Sequence, residues 1–220
     1  MKASRLIFTL LLAWSVAVAQ LVAQPTKADQ KPIEEVKAKA KAGNAKSQVE
    51  LGVRYDKGAG VVKDRAEAAK WYRKAAEQNH AEAQNNSGVC YLNGEGVAKG
   101  EVEAVKWFRK AAEQNFAAAQ YNLGVCYDRG DGVTEDHAEA AKWYSKAAEQ
   151  NDADAQYNLA ICYERGDGVT EDWVEAYKWL LLAARQGNDD AKENMTVVES
   201  KLTPEQSAQG KKLAREFKPH

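Results

Sequence analysis

Apolar positions recur along this chain with a helical period, and the helical stretches come in pairs. Between Phe116 and Asp128, the residues Ala119, Leu123, Cys126 and Tyr127 fall at i, i+4, i+7 and i+8, one face of a helix. Gly130 ends that helix as a residue that tolerates positive φ, and Asp131-Gly132-Val133-Thr134-Glu135 turns the chain. Asp136, followed by Glu139, has the form of a capping box. It opens a second helix whose Ala140, Trp143, Tyr144, Ala147 and Ala148 make a packed stripe. The pattern predicts an αα-hairpin.

The hairpin repeats every 36 residues. Tyr55, Tyr91, Tyr127 and Tyr163 keep that spacing, as do Trp71, Trp107, Trp143 and Trp179, and Gln48, Gln84, Gln120 and Gln156. So do the turn glycines Gly58/Gly60, Gly94/Gly96, Gly130/Gly132 and Gly166/Gly168, each pair followed by a valine. Such a period predicts an all-α fold, a right-handed α-α superhelix (solenoid) of stacked helix-turn-helix repeats. The repeats fall at residues 44–79, 80–115, 116–151 and 152–187. Residues 24–32 read as a flexible lead-in and 33–43 as a capping half-repeat. Residues 188–220 read as capping helices, the last opened by Thr203-Pro204-Glu205-Gln206 and running to about Phe217. The tryptophans, tyrosines and first turn glycines are structural in this reading, and Trp107→Ala or Trp143→Ala should cost about 3–5 kcal/mol.

The string AQYNLGVCYDRGDGVTEDHAEAAKWYSKAA at Ala119–Ala148 resembles the Sel-one-like repeat, a relative of the tetratricopeptide repeat with a longer glycine-containing turn. The resemblance covers about Asn44 to Gly187. Its departures are Gly100 in place of the capping aspartate, Ser87 in place of leucine and Ala160 in place of glycine. Cysteine-rich members of the family pair two cysteines within each repeat, at positions held here by Gln120 and Ala148, so the resemblance implies that this stapling is missing. It also implies protein binding on a concave face.

The first 23 residues carry Lys2 and Arg5, an apolar run from Leu6 to Val18 and the small residues Ala17-Val18-Ala19. This is a secretory signal pattern with a cut after Ala19 or Ala23. The run is shorter than the ~20 residues that span a bilayer, so no stable membrane span is expected after cleavage. The expected location is secreted or periplasmic in a bacterial cell envelope, and the expected state is a monomer. With 31 Lys+Arg against 32 Asp+Glu, no basic excess points to nucleic acid.

Candidate chemistry is sparse. Cys90, Cys126 and Cys162 sit one per repeat on the packed stripe, where equivalent positions stand about 8–10 Å apart, too far for a disulfide. They read as buried thiols. No serine is followed by lysine three residues on, the S-x-x-K of penicillin-recognising enzymes. His80, His137 and His220 show no metal-ligand spacing, and the acidic turns at Asp131, Glu135, Asp167 and Glu171 read as solvated loops. No catalytic residue, metal ligand or cofactor is expected.

What remains is the other face of each first helix. In three repeats it collects Asn85, Asn86 and Val89, then Tyr121, Asn122, Val125 and Arg129, then Tyr157, Asn158, Ile161 and Arg165. Tyrosines offer area at low entropic cost, arginines grip carboxylates and asparagines bond to peptide groups. The leading expectation is a non-catalytic scaffold that binds a protein or peptide on this face. The alternatives are a cell-wall or β-lactam-related hydrolase or binding protein, which the resemblance to cysteine-rich members of the family implies, and a structural spacer without a ligand.

Overall fold

The computed structural model describes the backbone of residues 27–219 and the side chains of 33–219. The expected signal pattern of residues 1–23 and its expected cut sites, together with His220, lie outside the described residues. Eleven helices account for nearly all of the described chain, and no strand occurs among the described residues. They are α1 (Lys27–Lys41), α2 (Ala45–Lys57), α3 (Arg65–Glu77), α4 (Ala81–Asn93), α5 (Glu101–Glu113), α6 (Ala117–Arg129), α7 (His137–Glu149), α8 (Ala153–Arg165), α9 (Trp173–Arg185), α10 (Asp189–Glu199) and α11 (Pro204–Glu216). Adjacent helices stack in pairs, the arrangement of an α-solenoid. In each repeat the first helix (α2, α4, α6, α8) is termed A and the second (α3, α5, α7, α9) B.

The chain forms two compact units. The first runs to His80 and takes in Glu95–Val97; the second holds Ala81–Gly94 and everything from Ala98 onward. In the first unit, Ile33 and Ala40 of α1 join Leu51, Val61 and Trp71 in one apolar cluster. Helix α1 corrects the expected lead-in over 24–32, because the helix already starts at Lys27. Lysine, alanine and glutamine in Lys27-Ala28-Asp29-Gln30-Lys31 are strong helix formers, and they extend the capping helix backwards.

The turns are built alike. The first glycine, φ 71–74° at Gly58, Gly94, Gly130 and Gly166, takes the left-handed conformation that caps the A helix. Nine residues after each repeat tyrosine, an N–H donates 2.9 Å to that tyrosine's carbonyl: Asp64 to Tyr55, Gly100 to Tyr91, Asp136 to Tyr127 and Asp172 to Tyr163. This backbone bond survives at Gly100, where the side-chain cap is lost. Asp136 accepts from the Glu139 N–H at 3.0 Å, while the Glu139 carboxylate pairs with Lys142 instead of closing a full capping box. The second glycine serves close approach. A Cβ at Gly168 would collide with the His137 carbonyl, and one at Gly132 with the Glu101 backbone, so each turn rests on the start of the preceding B helix.

B helices end on a left-handed asparagine, Asn79, Asn115 or Asn151, with φ 63–69°, and Gly187 takes the place in the fourth repeat. The repeat glutamines tie these ends together. Buried Gln120 donates to the Ala112 carbonyl of the preceding B helix and accepts from Gln150 at 2.6 Å. Gln48–Gln78, Gln84–Gln114 and Gln156–Gln186 repeat the amide pair at 2.6–2.9 Å. Thus Gln120, where the resemblance to cysteine-rich repeats would place a cysteine, holds a rung of a hydrogen-bonded ladder here.

The A and B helices interlock through a small residue against a ring. A Cβ at Gly52 would meet Tyr72, one at Gly88 would meet Phe108, and one at Gly124 would meet Tyr144, all at 2.5–2.7 Å. Trp71, Trp107 and Trp179 are buried and Trp143 is half-buried, each under a lysine ammonium 4.1–4.5 Å from a ring centroid. The repeat tyrosines, assigned to the core from sequence, are half-buried at the turns. At the far end, α11 opens with Thr203 and Gln206 in a full capping box. It lies on α9: Gly210 meets Tyr177, Phe217 packs edge-on to Trp179 at 5.4 Å, and Arg185 donates to the Ala214 carbonyl at 2.9 Å.

Candidate binding face

The A helices of the second unit, together with α10, share a register of exposed and half-buried positions. Tyr121 and Tyr157 stand one repeat apart, both half-buried. Burial pushes the Tyr121 phenol up, with Asp154 and Asp152 adding to it and Arg129 opposing. Tyr157 is raised by burial and by Asp190, and the Asn194 bond and Arg165 oppose. Asp154 and Asp190 belong to the first turns of the next helices, and Arg129 and Arg165, next to Asp128 and Glu164, to the last turns of the tyrosines' own helices. Arg129 and Arg165 are exposed, while Val125 and Ile161 are half-buried between them. The Tyr121 ring also lies 6.1 Å from buried Tyr144.

The asparagines join neighbouring A helices. Asn122 donates to Asn85 at 2.9 Å, Asn158 bonds Tyr121, and Asn194 donates to the Tyr157 hydroxyl at 3.1 Å. Each contact links one repeat to the next, a residue offset by 37. Asn85 belongs to the packed layer, only 8% exposed, so it is not the accessible ligand contact expected from sequence. It lies beside Gln84 and Ser87, which are buried too, because α4 buries polar residues where α6 buries Leu123. Asn86 and Val89 remain half-buried.

Sequence reasoning stopped this row at the fourth repeat. Helix α10, taken as a cap, continues it with Asp190, Asn194 and Val197, the last 54% exposed. The signal was present: Asn158 and Ile161 plus 36 give Asn194 and Val197.

Cys90, Cys126 and Cys162 are buried, and burial pushes the thiols of Cys126 and Cys162 up to about 12, far from a reactive thiolate. His137 is exposed, with Nδ1 3.2 Å from Asp128 and Nε2 3.3 Å from Glu135. His80 keeps a buried Nδ1 without a partner. No group of three or more His, Cys, Asp or Glu that could hold a metal occurs among the described residues, and no described helix is long and apolar enough to cross a membrane.

Stacked helix pairs, glycine turns and a shared A-helix face define a helical repeat protein. The chain belongs to the Sel1 repeat family, whose model matches residues 45–80, 81–116, 117–152 and 153–188, each one residue later than the boundaries read from sequence. It is similar in structure to c5321, a protective antigen of uropathogenic Escherichia coli with an SLR fold, at TM-score 0.79 and 40% identity over 84% of this chain and 40% of that one. A Sel1 repeat protein from Oxalobacter formigenes matches at TM-score 0.74 and 35% identity, over 87% of this chain and 78% of that one. The secretory immunoglobulin A-binding protein EsiB of E. coli O6:H1 is 46% identical over 43 residues, 20% of this chain. The chain spans 9% of EsiB and 40% of c5321.

Proposed function

We propose that this chain is a non-catalytic, exported scaffold that binds a protein or peptide on the A-helix face of its second unit. One observation carries the reading: tyrosines and branched apolar residues recur at one register with one side packed on the core and the other open to solvent, among charged helix ends. The relative named as an immunoglobulin A-binding protein supports a binding role, and the signal pattern of residues 1–23 supports export to the envelope or beyond. The partner is a protein, and neither nucleic acid nor a cofactor enters the reading.

The test is crosslinking of the purified chain in envelope extracts, followed by mass spectrometry of what is captured. Wild-type protein should capture a specific partner that the triple variant Tyr121→Ala, Tyr157→Ala, Arg129→Ala recovers at least about tenfold less well. Equal recovery by a folded triple variant would move the binding site off this face. A melting temperature that no candidate partner raises would favour a spacer.

A further inference from the structure

We propose that the second repeat carries a conformational device: helix α4 opens locally while the rest of the second unit stays folded, at a frequency set by the buried hydroxyl of Ser87.

The A helices differ at one position of the 36-residue period. Leu51, Leu123 and Leu159 occupy it in the first, third and fourth repeats, all 0–1% exposed. In α4 it is Ser87, which is 3% exposed and whose Oγ has no hydrogen-bond partner. A leucine stabilises the closed helix by withdrawing apolar surface from water. A serine withdraws little apolar surface, and its hydroxyl loses water without gaining a bond in return. Both differences raise the free energy of the closed helix relative to the open one, in which water solvates the hydroxyl again.

The rest of α4 does not offset this. Its buried residues are Ala83, Gln84, Asn85, Ser87, Gly88 and Cys90, so no apolar side chain larger than cysteine is buried. Helices α6 and α8 bury a leucine in addition to the equivalent alanine, glutamine and cysteine. Gln84 accepts from Gln114 at 2.6 Å and Asn85 from Asn122 at 2.9 Å, and these amides exchange protein partners for water when the helix opens.

The surroundings keep the opening local. Helix α4 is the first of the second unit, whereas α6 and α8 lie within it. Its hairpin partner α5 is alone among the four B helices in lacking a side-chain cap, because Gly100 stands where Asp64, Asp136 and Asp172 accept from N–H groups. A glycine cap costs little by itself, but it falls in the same repeat as Ser87. Opening separates Asn85 from Asn122 and so uncovers one side of α6. The row of A helices in the second unit thereby starts at α4 in the closed state and at α6 in the open one.

The test is hydrogen–deuterium exchange of the full chain under native conditions, resolved peptide by peptide by mass spectrometry. Amides of α4 should exchange at least about tenfold faster than the matching amides of α6 and α8. Ser87→Ala removes the orphan hydroxyl without adding bulk and should slow α4 by about fivefold or more, beyond the roughly twofold that the helix propensity of alanine supplies. Leu123→Ser should transfer the behaviour, making α6 at least about tenfold faster than in the wild type; if that variant does not fold, Ser87→Ala alone decides. Equal exchange of α4, α6 and α8 overturns the proposal. So does fast exchange in α4 that Ser87→Ala leaves within about twofold of the wild type, which assigns the opening to the place of α4 at the start of its unit.

Discussion

The third and fourth repeats follow one sequence pattern, and they differ where two helices touch. In the third, Gly124 of α6 opens a gap that the buried Tyr144 ring of α7 fills, and a Cβ there would lie 2.7 Å from the ring. In the fourth, the glycine position is Ala160 and the tyrosine position is Leu180, both completely buried. The departure from the family pattern at Ala160 is therefore one half of an exchange: one helix gains a methyl and its partner gives up a ring. Their outer sides differ too. Trp143 of the third repeat is half-buried, whereas Trp179 of the fourth is covered by Phe217 from the capping helix. A repeat residue is set by what its neighbour offers, and the last repeat has a different neighbour.

That contrast can be broken most forcefully at the tryptophans. Trp179→Ala should cost about 3–5 kcal/mol in chemical denaturation, because it empties a buried site and removes the anchor of Phe217. Trp143→Ala, from a half-open site, should fall near 2 kcal/mol, below the range expected from sequence. Equal losses would mean that the cap adds nothing to the fourth repeat.

The two turn glycines come next. Gly168→Ala places a methyl against the His137 backbone at a φ of 72° and should cost about 2–4 kcal/mol, the sum of left-handed strain and overpacking. Gly166→Ala has the same φ with its nearest neighbour at 3.6 Å, so only the strain of about 1–2 kcal/mol applies. Thermal melts of the two variants separate close approach from conformation. The exchange itself is read from a coupling energy, which is smaller still. Gly124→Ala should lose about 1–3 kcal/mol by crowding Tyr144, and adding Tyr144→Leu, the fourth repeat's solution, should give a favourable coupling of at least about 0.5 kcal/mol in a double-mutant cycle. No coupling would show that Ala160 and Leu180 differ from their counterparts independently.

The 36-residue period, the helix pairs, the capping box at Thr203 and the first turn glycines could all be read along the chain, because each is a local pattern. What could not be read joins residues far apart. The role of Gly168 depends on His137, and Gln120 gains its meaning from Ala112 and Gln150. Asn115 and Asn151 at the left-handed ends of B helices carry a local signal that the glycine-based reading passed over. On the candidate face Arg129 and Arg165 are exposed and Tyr121 and Tyr157 half-buried, whereas pattern alone treated Asn85 as equivalent to Tyr121. Its burial follows from a polar α4 packing against its neighbours, which periodicity does not encode.

The smallest effect distinguishes the fourth repeat by its cap. Glu199, at the end of α10, accepts from Lys211 Nζ at 2.7 Å and from Ser207 Oγ at 3.1 Å, both on α11, and it also bonds Tyr177 of α9. The Lys211 bond, then those of Tyr177 and Ser207, lower its carboxyl from 4.5 to about 2. A carboxylate depressed in the folded state contributes stability that is fully present above its unfolded value, near pH 4.5, and is lost as pH falls through about 2. The side chain is 40% exposed, so water and salt screen much of the effect. Melting curves of wild type and Glu199→Gln should therefore differ by a small constant amount at neutral pH, converge below pH 4.5 and coincide near pH 2. A difference that persists unchanged to pH 2 would show that the ionised carboxylate does not hold α11 on the fourth repeat, leaving Phe217, Gly210 and Arg185 to hold the cap alone.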